Sequence, residues 1–313
     1  MRIIKKNYLV IMEAKELLPR KLAIAVCCHF DKDRLGYLDK ISNSFKELAS
    51  EVFVTAVTNT SKIEELAQIE SAITGKGFGY QIFRPNTLGH PLLLTWAHFP
   101  VFEGLLKDQS FTHFMYLEDD TLITRVNMAY WLESRDFLKP FGLIPSFLRV
   151  ENKIDDPDWY SSDCANQYFI YGLPRVRLRQ DLGFINLPQA YQGIYLLDRE
   201  LMLEHLNGDS YSPNFGIWGI QEKATQGITF ANVPIGFTSR NLIPYCPHSC
   251  LVDERCLIHH LPNNYAQPKP GGKVVITVPI KSLLSMWPTR HFFGFKNLRI
   301  FLRMLRQKYF KRK

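Results

Sequence analysis

The chain has 313 residues, of which 46% are hydrophobic and 22% are charged. This ordinary globular composition excludes a disordered, collagen-like or disulfide-framework protein, and the length allows one large domain or two smaller ones. The formal net charge is +8, but residues 290–313 hold nine Lys or Arg and no acid, so the rest of the chain is about neutral.

No stretch approaches the roughly 20 apolar residues of a membrane span. The apolar run at residues 8–12 is too short for the core of a secretory signal. We therefore expect a cytoplasmic protein, with peripheral contact to the inner face of a membrane as an option. Six cysteines in a chain of this length do not predict a disulfide framework, and Cys27 and Cys28 are expected to be reduced core residues.

The N-terminal half alternates strand-like and helix-like segments. Strands are predicted at residues 22–28, 51–57, 80–83 and 114–117, and helices at residues 34–49, 62–70 and 92–106. This alternation predicts an α/β fold, Rossmann-like, with a mostly parallel central sheet flanked by helices. Gly75, Gly77 and Gly79 lack the strand-to-helix context of a dinucleotide fingerprint, so we reject that interpretation.

Three consecutive acids, Glu118, Asp119 and Asp120, follow an apolar strand that is predicted to be buried on both faces. Ligands of open α/β sheets bind at the carboxyl ends of such strands. Alternation along a strand would put Glu118 and Asp120 on one face and Asp119 on the other. Carboxylates suit Mg²⁺ or Mn²⁺ that also binds substrate phosphates. The alternative is a solvated acidic turn before a helix that Thr124 or Asn127 caps.

The first strand with its polar end, the Asn86-x-x-Gly89-His90 turn before a helix, and the apolar strand ending in Glu-Asp-Asp together resemble a GT-A fold glycosyltransferase. The triplet is especially similar to that of N-acetylglucosaminyltransferase I-like enzymes. The similarity covers residues 22–138 well and continues more loosely to about residue 265. It implies an enzyme that transfers a sugar from a nucleotide-diphosphate sugar to a hydroxyl of a glycan or lipid-linked acceptor.

In that family the last acid of the triplet binds Mn²⁺ or Mg²⁺ on the donor diphosphate, which implies Asp120 as a metal ligand here. Glu118 and Asp119 would then contact the nucleotide ribose or metal-bound water. Further nucleotide-sugar contacts are implied at the matching strand ends and turns: His29, Phe30, Asn59, Asn86, Gly89, His90 and Gly193.

Glu222 follows a tryptophan between two glycines and opens a helix that is predicted to reach about Gln226. In related enzymes an acid at a helix start in this region takes the proton from the acceptor hydroxyl, and such a base contributes about 10² to 10⁴-fold to the rate. One base with direct displacement implies inversion at the anomeric carbon. This sequence departs from the family at one position, because the family has two adjacent acids where this chain has Gln221 and Glu222. The alternative to a catalytic role is that Glu222 is an acid at a helix start, stabilised by the helix dipole.

A late histidine is the remaining metal candidate. Many GT-A enzymes use one as a metal ligand or diphosphate contact, and the resemblance implies His259. Neighbours on a strand face opposite ways, so only one of His259 and His260 can reach the site. Alternatively, Cys246, Cys250 and Cys256 with a histidine would form a structural zinc site, although their spacing fits no common zinc finger.

We predict an N-terminal extension (residues 1–20), a nucleotide-sugar-binding half (21–126), an acceptor-binding and catalytic half of the same domain (127–280) and a basic tail (281–313). Within the tail, residues 297–310 are predicted to form an amphipathic helix that would lie on an anionic membrane surface or dock on the domain. The acidic and aromatic segments at residues 155–160 and 168–171 are interpreted as a packed insertion rather than a sugar-stacking surface.

Two other function classes stay open. A nucleotidyltransferase on the same architecture would need a phosphate-binding Gly/Arg/Lys signature after the first strand, which the sequence lacks. A non-catalytic basic protein would bind a partner through the cysteine-rich segment or a polyanion through the tail, with strong salt dependence. We do not expect nucleic acid as a partner.

Overall fold

The computed structural model describes residues 18–86, 88–164, 173–187, 191, 193–268 and 275–284. The predictions for residues 1–17, Tyr168–Tyr171 and the basic tail beyond residue 284 lie outside these described residues. The described chain forms two compact units: residues up to Ser134 with Gly193–Ile228, and residues from Arg135 to 191 with those from Thr229 onward. The second half predicted at residues 127–280 is thus not continuous, because Gly193–Ile228 groups with the first unit.

The strands are β1 (Lys21–Cys28), β2 (Glu51–Thr58), β3 (Gly79–Phe83), β4 (His113–Glu118), β5 (Thr121–Leu122), β6 (Ile144–Pro145), β7 (Leu148–Lys153), β8 (Asp156–Ser161), β9 (Arg175–Arg177), β10 (Gly183–Asn186), β11 (Ile194–Asp198), β12 (Asn241–Cys246), β13 (Leu251–Val252), β14 (Leu257–His260) and β15 (Val278–Pro279). The α-helices are α1 (Leu35–Phe45), α2 (Ile63–Ile73), α3 (His98–Leu105), α4 (Arg125–Leu138), α5 (Arg199–Asn207) and α6 (Ile220–Phe230). Short 3-10 helices cover Lys32–Arg34, Pro91–Trp96, Lys139–Phe141, Asp209–Tyr211, Glu254–Cys256 and Ile280–Ser282.

The first unit is built on a sheet in the order β3-β2-β1-β4-β11. The first four strands are parallel, and β11 runs antiparallel to β4. The apolar residues of β1 from Leu22 to Val26 and of β4 from Phe114 to Leu117 are fully buried, as expected for strands of a parallel sheet that is covered on both faces. The predicted α/β fold with a mostly parallel, Rossmann-like sheet is therefore confirmed.

One predicted helix of this unit is divided in two. The periodic apolar residues at 92–106 predicted a single helix, but the chain forms the 3-10 helix Pro91–Trp96 and then α3. Pro100 explains the division, because proline has no N–H to donate to the preceding turn of an α-helix. It is tolerated in the first turn of α3, where the N–H groups have no helical partner.

The second unit contains two sheets of short strands. One has the order β13-β12-β10-β9, with β6 parallel to β12, and in the other β7 pairs with β8 and β14, and β8 with β15. Residues 156–160, predicted to belong to a packed insertion, form most of strand β8. Asp156 is bonded locally, since its carboxylate accepts from the Asp158 N–H at 2.9 Å and from the Tyr160 hydroxyl.

Within the described ranges, no helix is long and apolar enough to span a bilayer. All six cysteines are free thiols. Cys28 is buried in β1, as its apolar neighbours predicted.

Candidate functional site

The carboxyl ends of β1, β2, β3 and β4 meet along one edge of the first sheet, because these strands are parallel. Strand β11 runs the opposite way and brings its amino end to the same edge. In the sheet, β2 lies on one side of β1, and β4 lies on the other side. The topological switch point therefore falls between β1 and β4. Ligands of open α/β sheets bind outside the strand ends at such a point. Most of the predicted site residues lie at this edge. Gly193 directly precedes β11, and the others lie at or after the carboxyl ends of the parallel strands: His29, Phe30, Asn59, Asn86, Gly89, His90, Glu118, Asp119 and Asp120.

Asp119 and Asp120 are the buried acids of this edge, with 1% and 3% of their surface exposed. Both contact Arg34, which comes from the 3-10 helix after β1. The Arg34 Nε donates to Asp119 Oδ1 at 3.1 Å, and its Nη2 donates to Asp120 Oδ2 at 2.8 Å and also to Asp119. Two adjacent carboxylates therefore share one guanidinium group at the switch point.

Burial decides the protonation of this cluster. It raises the pKa of Asp119 to about 6, and the charges of Asp120 and Glu118 act in the same direction, while Arg34 acts against them. For Arg34 burial alone would lower the pKa, but the hydrogen bonds and charges of Asp119 and Asp120 raise it above its ordinary value. The cluster thus holds a permanent cation, yet one of its acids ionises less readily than an exposed aspartate.

The predicted alternation of the three acids is wrong. Strand β4 ends at Glu118, and the turn that follows places Asp119 and Asp120 on the same guanidinium group. The alternative of a solvated acidic turn is wrong about solvation, because both aspartates are buried. Its cap is present: Thr124 Oγ1 accepts the Asn127 N–H at 3.4 Å at the start of α4, and Asn127 Oδ1 accepts the Thr124 N–H at 2.8 Å.

Glu118 packs against Gly193, the residue that precedes β11. The Glu118 N–H donates to the Gly193 carbonyl at 2.8 Å. Gly193 has a φ of +63°, and a Cβ at this position would lie 2.7 Å from Glu118 Cδ. Glycine is needed here twice, for the left-handed backbone and for the close approach of a carboxylate.

His29, Phe30 and Asn59 are brought together at the ends of β1 and β2. The Phe30 N–H donates to Asn59 Oδ1 at 3.1 Å, and Asn59 Nδ2 lies 3.3 Å from His29 Nε2. His29 and Asn59 are exposed, and Phe30 is half-buried. This polar group bridges the two loops beside the buried aspartates.

His90 has a local structural partner. Its Nδ1 accepts the Leu92 N–H at 3.1 Å and so caps the 3-10 helix Pro91–Trp96. Gly89 before it has a φ of +65°, which favours glycine. Asn86 is exposed in the same turn.

Glu222 lies in the first turn of α6 and is half-buried. Its carboxyl group folds back over the start of its own helix, where a Cβ on Gly219 would lie 3.1 Å from Glu222 Cδ. The Trp96 indole donates from Nε1 to the Ile220 carbonyl at 2.9 Å. This bond fixes the first turn of α6 to the 3-10 helix that follows the turn containing His90.

The two late histidines lie on β14 in the second unit, and they have different partners. His259 Nε2 lies 3.0 Å from Asn263 Oδ1, and its ring meets Trp159 edge-on at 5.1 Å. His260 is buried, contacts the Glu151 carboxylate through Nδ1 and stacks on the Tyr265 ring. The predicted opposite orientation of the two rings agrees with these separate surroundings.

The carboxylates fit a hard divalent cation only in part. Among the described residues, no group of three or more His, Cys, Asp or Glu side chains is arranged to hold a metal ion, and this includes the cysteines of the zinc alternative. Asp119 and Asp120 nevertheless offer the oxygen ligands that Mg²⁺ and Mn²⁺ prefer, and Mg²⁺ commonly completes its shell with water and substrate phosphates. Such an ion would enter beside Arg34, which already neutralises part of the charge.

Arg34 is the site residue that the sequence analysis did not single out. Its partners lie 85 and 86 residues away in the chain, so no local motif joins them. One signal was present: a triplet of acids at the end of a buried strand requires a nearby cation, and Lys32 and Arg34 are the basic residues of the first turn after β1.

No protein-family model matches the sequence, and no curated protein matches it. Among solved structures, the chain is similar to the apo structure of the WbbM bifunctional glycosyltransferase, with a TM-score of 0.37 and 9% identity. The match covers 71% of this chain and 38% of that chain, so the present chain spans well under half of that protein's length. At this level of similarity, the function has to be argued from the site itself.

Proposed function

We propose that this protein is a glycosyltransferase that uses a nucleotide-diphosphate sugar, needs Mn²⁺ or Mg²⁺ and transfers the sugar to a hydroxyl of a glycan or lipid-linked acceptor. One observation carries the proposal: two buried aspartates lie side by side at the carboxyl end of β4, at the switch point of a parallel sheet. Burying two adjacent carboxylates costs stability, and a ligand-binding role accounts for their position.

The loops beside these aspartates supply the contacts that a nucleotide needs. Asn59 joins the loops after β1 and β2, and His29 and Phe30 offer an imidazole and an aromatic ring at the same edge. We assign these three residues to the base and ribose. We assign Glu118 to the ribose or a bound water, with Gly193 leaving the space that its carboxylate occupies.

Asp120 is the residue that we assign to the cation, with Asp119 as its neighbour. When bound, a divalent ion would neutralise the charge that gathers on the departing nucleoside diphosphate. Arg34 adds a fixed positive charge that is held by both aspartates, and a preorganised charge of this kind needs no rearrangement during the reaction.

Glu222 is the proposed base for the acceptor hydroxyl. An alcohol is a weak nucleophile, and a carboxylate that accepts its proton as the new bond forms accelerates the reaction. The position of Glu222 in the first turn of α6, fixed through Trp96, supports a side chain that is held by its helix. With one base and direct displacement, the configuration at the anomeric carbon is inverted.

Thermal unfolding with a panel of UDP, GDP, CDP and dTDP sugars, with and without Mn²⁺, tests the donor side. We expect one nucleotide to raise the Tm only when Mn²⁺ is present, because a ligand at 100 times its Kd adds about 2.7 kcal/mol to stability. Asp120→Asn should lose this shift. Asp108→Asn is the matched control, since Asp108 is exposed and pairs with Lys21 at the amino end of β1.

Two results would contradict the donor assignment: an absence of stabilisation by every nucleotide and metal, or an Asp120→Asn variant that binds donor as the wild type does. Nucleoside triphosphates belong in the same panel. Stabilisation by a triphosphate alone would favour the nucleotidyltransferase alternative.

Glu222→Gln tests the base separately. The variant should keep the donor-induced Tm shift and lose about 10²-fold or more in transfer, measured as release of nucleoside diphosphate with an acceptor panel. Glu200→Gln is the control, because Glu200 is also an acid in the first turn of a helix. Equal turnover of Glu222→Gln and wild type would remove Glu222 from the mechanism.

A further inference from the structure

The turn between β12 and β13 carries two cysteines four residues apart. The Cys250 N–H donates to the Cys246 carbonyl at 2.9 Å and closes the turn, while Cys246 pairs with Leu251 across the two strands. A backbone bond between residues i and i+4 closes a single tight turn, which keeps the two cysteines near each other, as a disulfide requires.

The Cys246 thiol has the surroundings of a reactive thiol. Hydrogen bonds from the Ser249 side chain and then from the backbone N–H groups of Ser249 and His248 lower the pKa of Cys246 below that of an ordinary thiol. The residue is half-buried and reachable by solvent. Cys164 and Cys256 differ, because complete burial raises the pKa of each.

Cys250 places its sulfur over the same turn. It has a φ of +53°, and its Sγ lies 3.9 Å from the Pro247 carbonyl. Both sulfur atoms therefore have contacts among residues 247–249, which separate the cysteines. A reactive, accessible thiol with a second cysteine close by is the usual arrangement of a redox-sensitive pair.

We propose that Cys246 is a modification site that reacts with low-molecular-mass disulfides, and that Cys250 resolves the adduct into a Cys246–Cys250 disulfide. In the first step the Cys246 thiolate attacks one sulfur of the small disulfide, whose S–S bond breaks and releases one thiolate. Cys250 then loses its proton to solvent and attacks the Cys246 sulfur, which releases the second thiolate. Two protein thiols are oxidised, one small disulfide is reduced to two thiols, and both released thiolates take up protons.

The sequence makes the product easy to detect. Trypsin cleaves after Arg240 and Arg255, so both cysteines lie in the single peptide 241–255. The reduced full-length protein is treated with glutathione disulfide at pH 7.5, blocked with N-ethylmaleimide, digested and analysed by mass spectrometry. We expect peptide 241–255 to lose two hydrogens and to carry no blocking group, while Cys164 and Cys256 stay reduced and are blocked after unfolding.

Two single variants separate the roles of the cysteines. Cys250→Ser should stop at a glutathione adduct on Cys246, and Cys246→Ser should prevent modification of the peptide. In Cys250→Ser, the rate at which iodoacetamide alkylates Cys246 is measured against pH. Its midpoint should lie at a lower pH in the folded protein than in urea. Adding Ser249→Ala should raise the midpoint of the folded protein. These readouts are independent of the proposed glycosyltransferase activity.

The proposal is overturned if the wild type keeps the glutathione adduct without forming the internal disulfide. It is also overturned if Cys246→Ser is modified at Cys250 as fast as the wild type reacts, or if the folded and unfolded chains show the same pH midpoint for Cys246.

Discussion

Buried carboxylates have different kinds of partner in the two units. In the second unit, Glu151 contacts His260 with Oε1 and accepts the Tyr265 and Ala266 N–H groups with Oε2 at 2.9 and 2.6 Å. One carboxylate thus has three partners. In the first unit, two adjacent aspartates share the single guanidinium group of Arg34 (see Candidate functional site).

The difference separates a structural cluster from a candidate binding cluster. Glu151 connects β7 to the chain that follows β14, and each of its oxygens is satisfied by the protein itself. Asp119 and Asp120 repel each other across a shared cation, and the pKa of Asp119 stays raised. We expect removal of Glu151 to damage folding, and changes at the Arg34 cluster to alter mainly charge and cation binding.

Glu151→Ala should have the largest effect on stability. The substitution leaves two backbone N–H groups and His260 without their buried acceptor, which costs about 3 to 5 kcal/mol in the free energy of unfolding. Urea unfolding followed by circular dichroism measures it. Glu254→Ala is the control, because Glu254 is exposed in the same unit, and it should stay within about 0.5 kcal/mol of wild type. Equal stability of the two variants would refute the structural role of Glu151.

Arg34→Gln should have the next largest effect on stability. The direction of this effect should depend on whether a divalent ion is present. Without a divalent ion, the loss of the shared cation should lower the free energy of unfolding by about 2 kcal/mol. With Mn²⁺ the variant should gain more in Tm than wild type does, because the ion no longer competes with the Arg34 guanidinium group for the two carboxylates. Arg255→Gln is the control, since the Arg255 side chain is similarly exposed (38% against 36%) and pairs with Asp253 in the second unit.

A Mn²⁺-induced Tm shift that is no larger in Arg34→Gln than in wild type would show that Arg34 and the cation do not share a site. Loss of the shift in both proteins would instead argue against the metal assignment of Asp120.

Asp119→Asn should have the smallest effect per pH unit, visible as a slope of the free energy of unfolding against pH. Asp119 binds its proton at about pH 6 in the folded chain and near its ordinary value of 3.8 when unfolded. Between these values the folded chain holds more protons, so the wild-type free energy of unfolding falls as pH rises. Asparagine cannot titrate, and the variant should therefore gain about 1 kcal/mol per pH unit relative to wild type from pH 4 to 6.

The lost hydrogen bonds to Arg34 shift the whole Asp119→Asn curve by a constant and leave its slope unaffected. Asp39→Asn, at an exposed acid that pairs with Lys76, is the control and should follow the wild type across this range. If the difference in free energy of unfolding between Asp119→Asn and wild type does not change with pH, burial does not raise the pKa of Asp119.

The first sheet was predictable because its strands are apolar runs between polar turns. Strands β1 and β4 were predicted to within one residue at their buried centres, since their side chains are covered on both faces. The sheets of the second unit were not. Strand β8 reads Asp-Pro-Asp-Trp-Tyr-Ser and β9 reads Arg-Val-Arg, and such short polar strands are defined by partners distant in sequence.

That most of the candidate site residues share one sheet edge was also predictable, because parallel strands bring their carboxyl ends together. The contacts within it were not. Periodicity could not show that the strand ends at Glu118, and nothing local joins Arg34 to acids 85 residues away. His90 caps its own 3-10 helix through Nδ1, and the Glu222 carboxyl group lies close to Gly219 at the start of its helix, two local arrangements that the sequence pattern did not predict.

The antiparallel pairing of β11 with β4 affects the order in which the protein forms as it leaves the ribosome. The four central residues of β4 are fully buried in the folded protein, yet one hydrogen-bonding side of the strand stays open until the chain has been made as far as Ile194. An apolar strand with an open side invites pairing with other chains. Nascent chains that stall between these two strands should therefore depend on chaperones more strongly than chains released after Asp198.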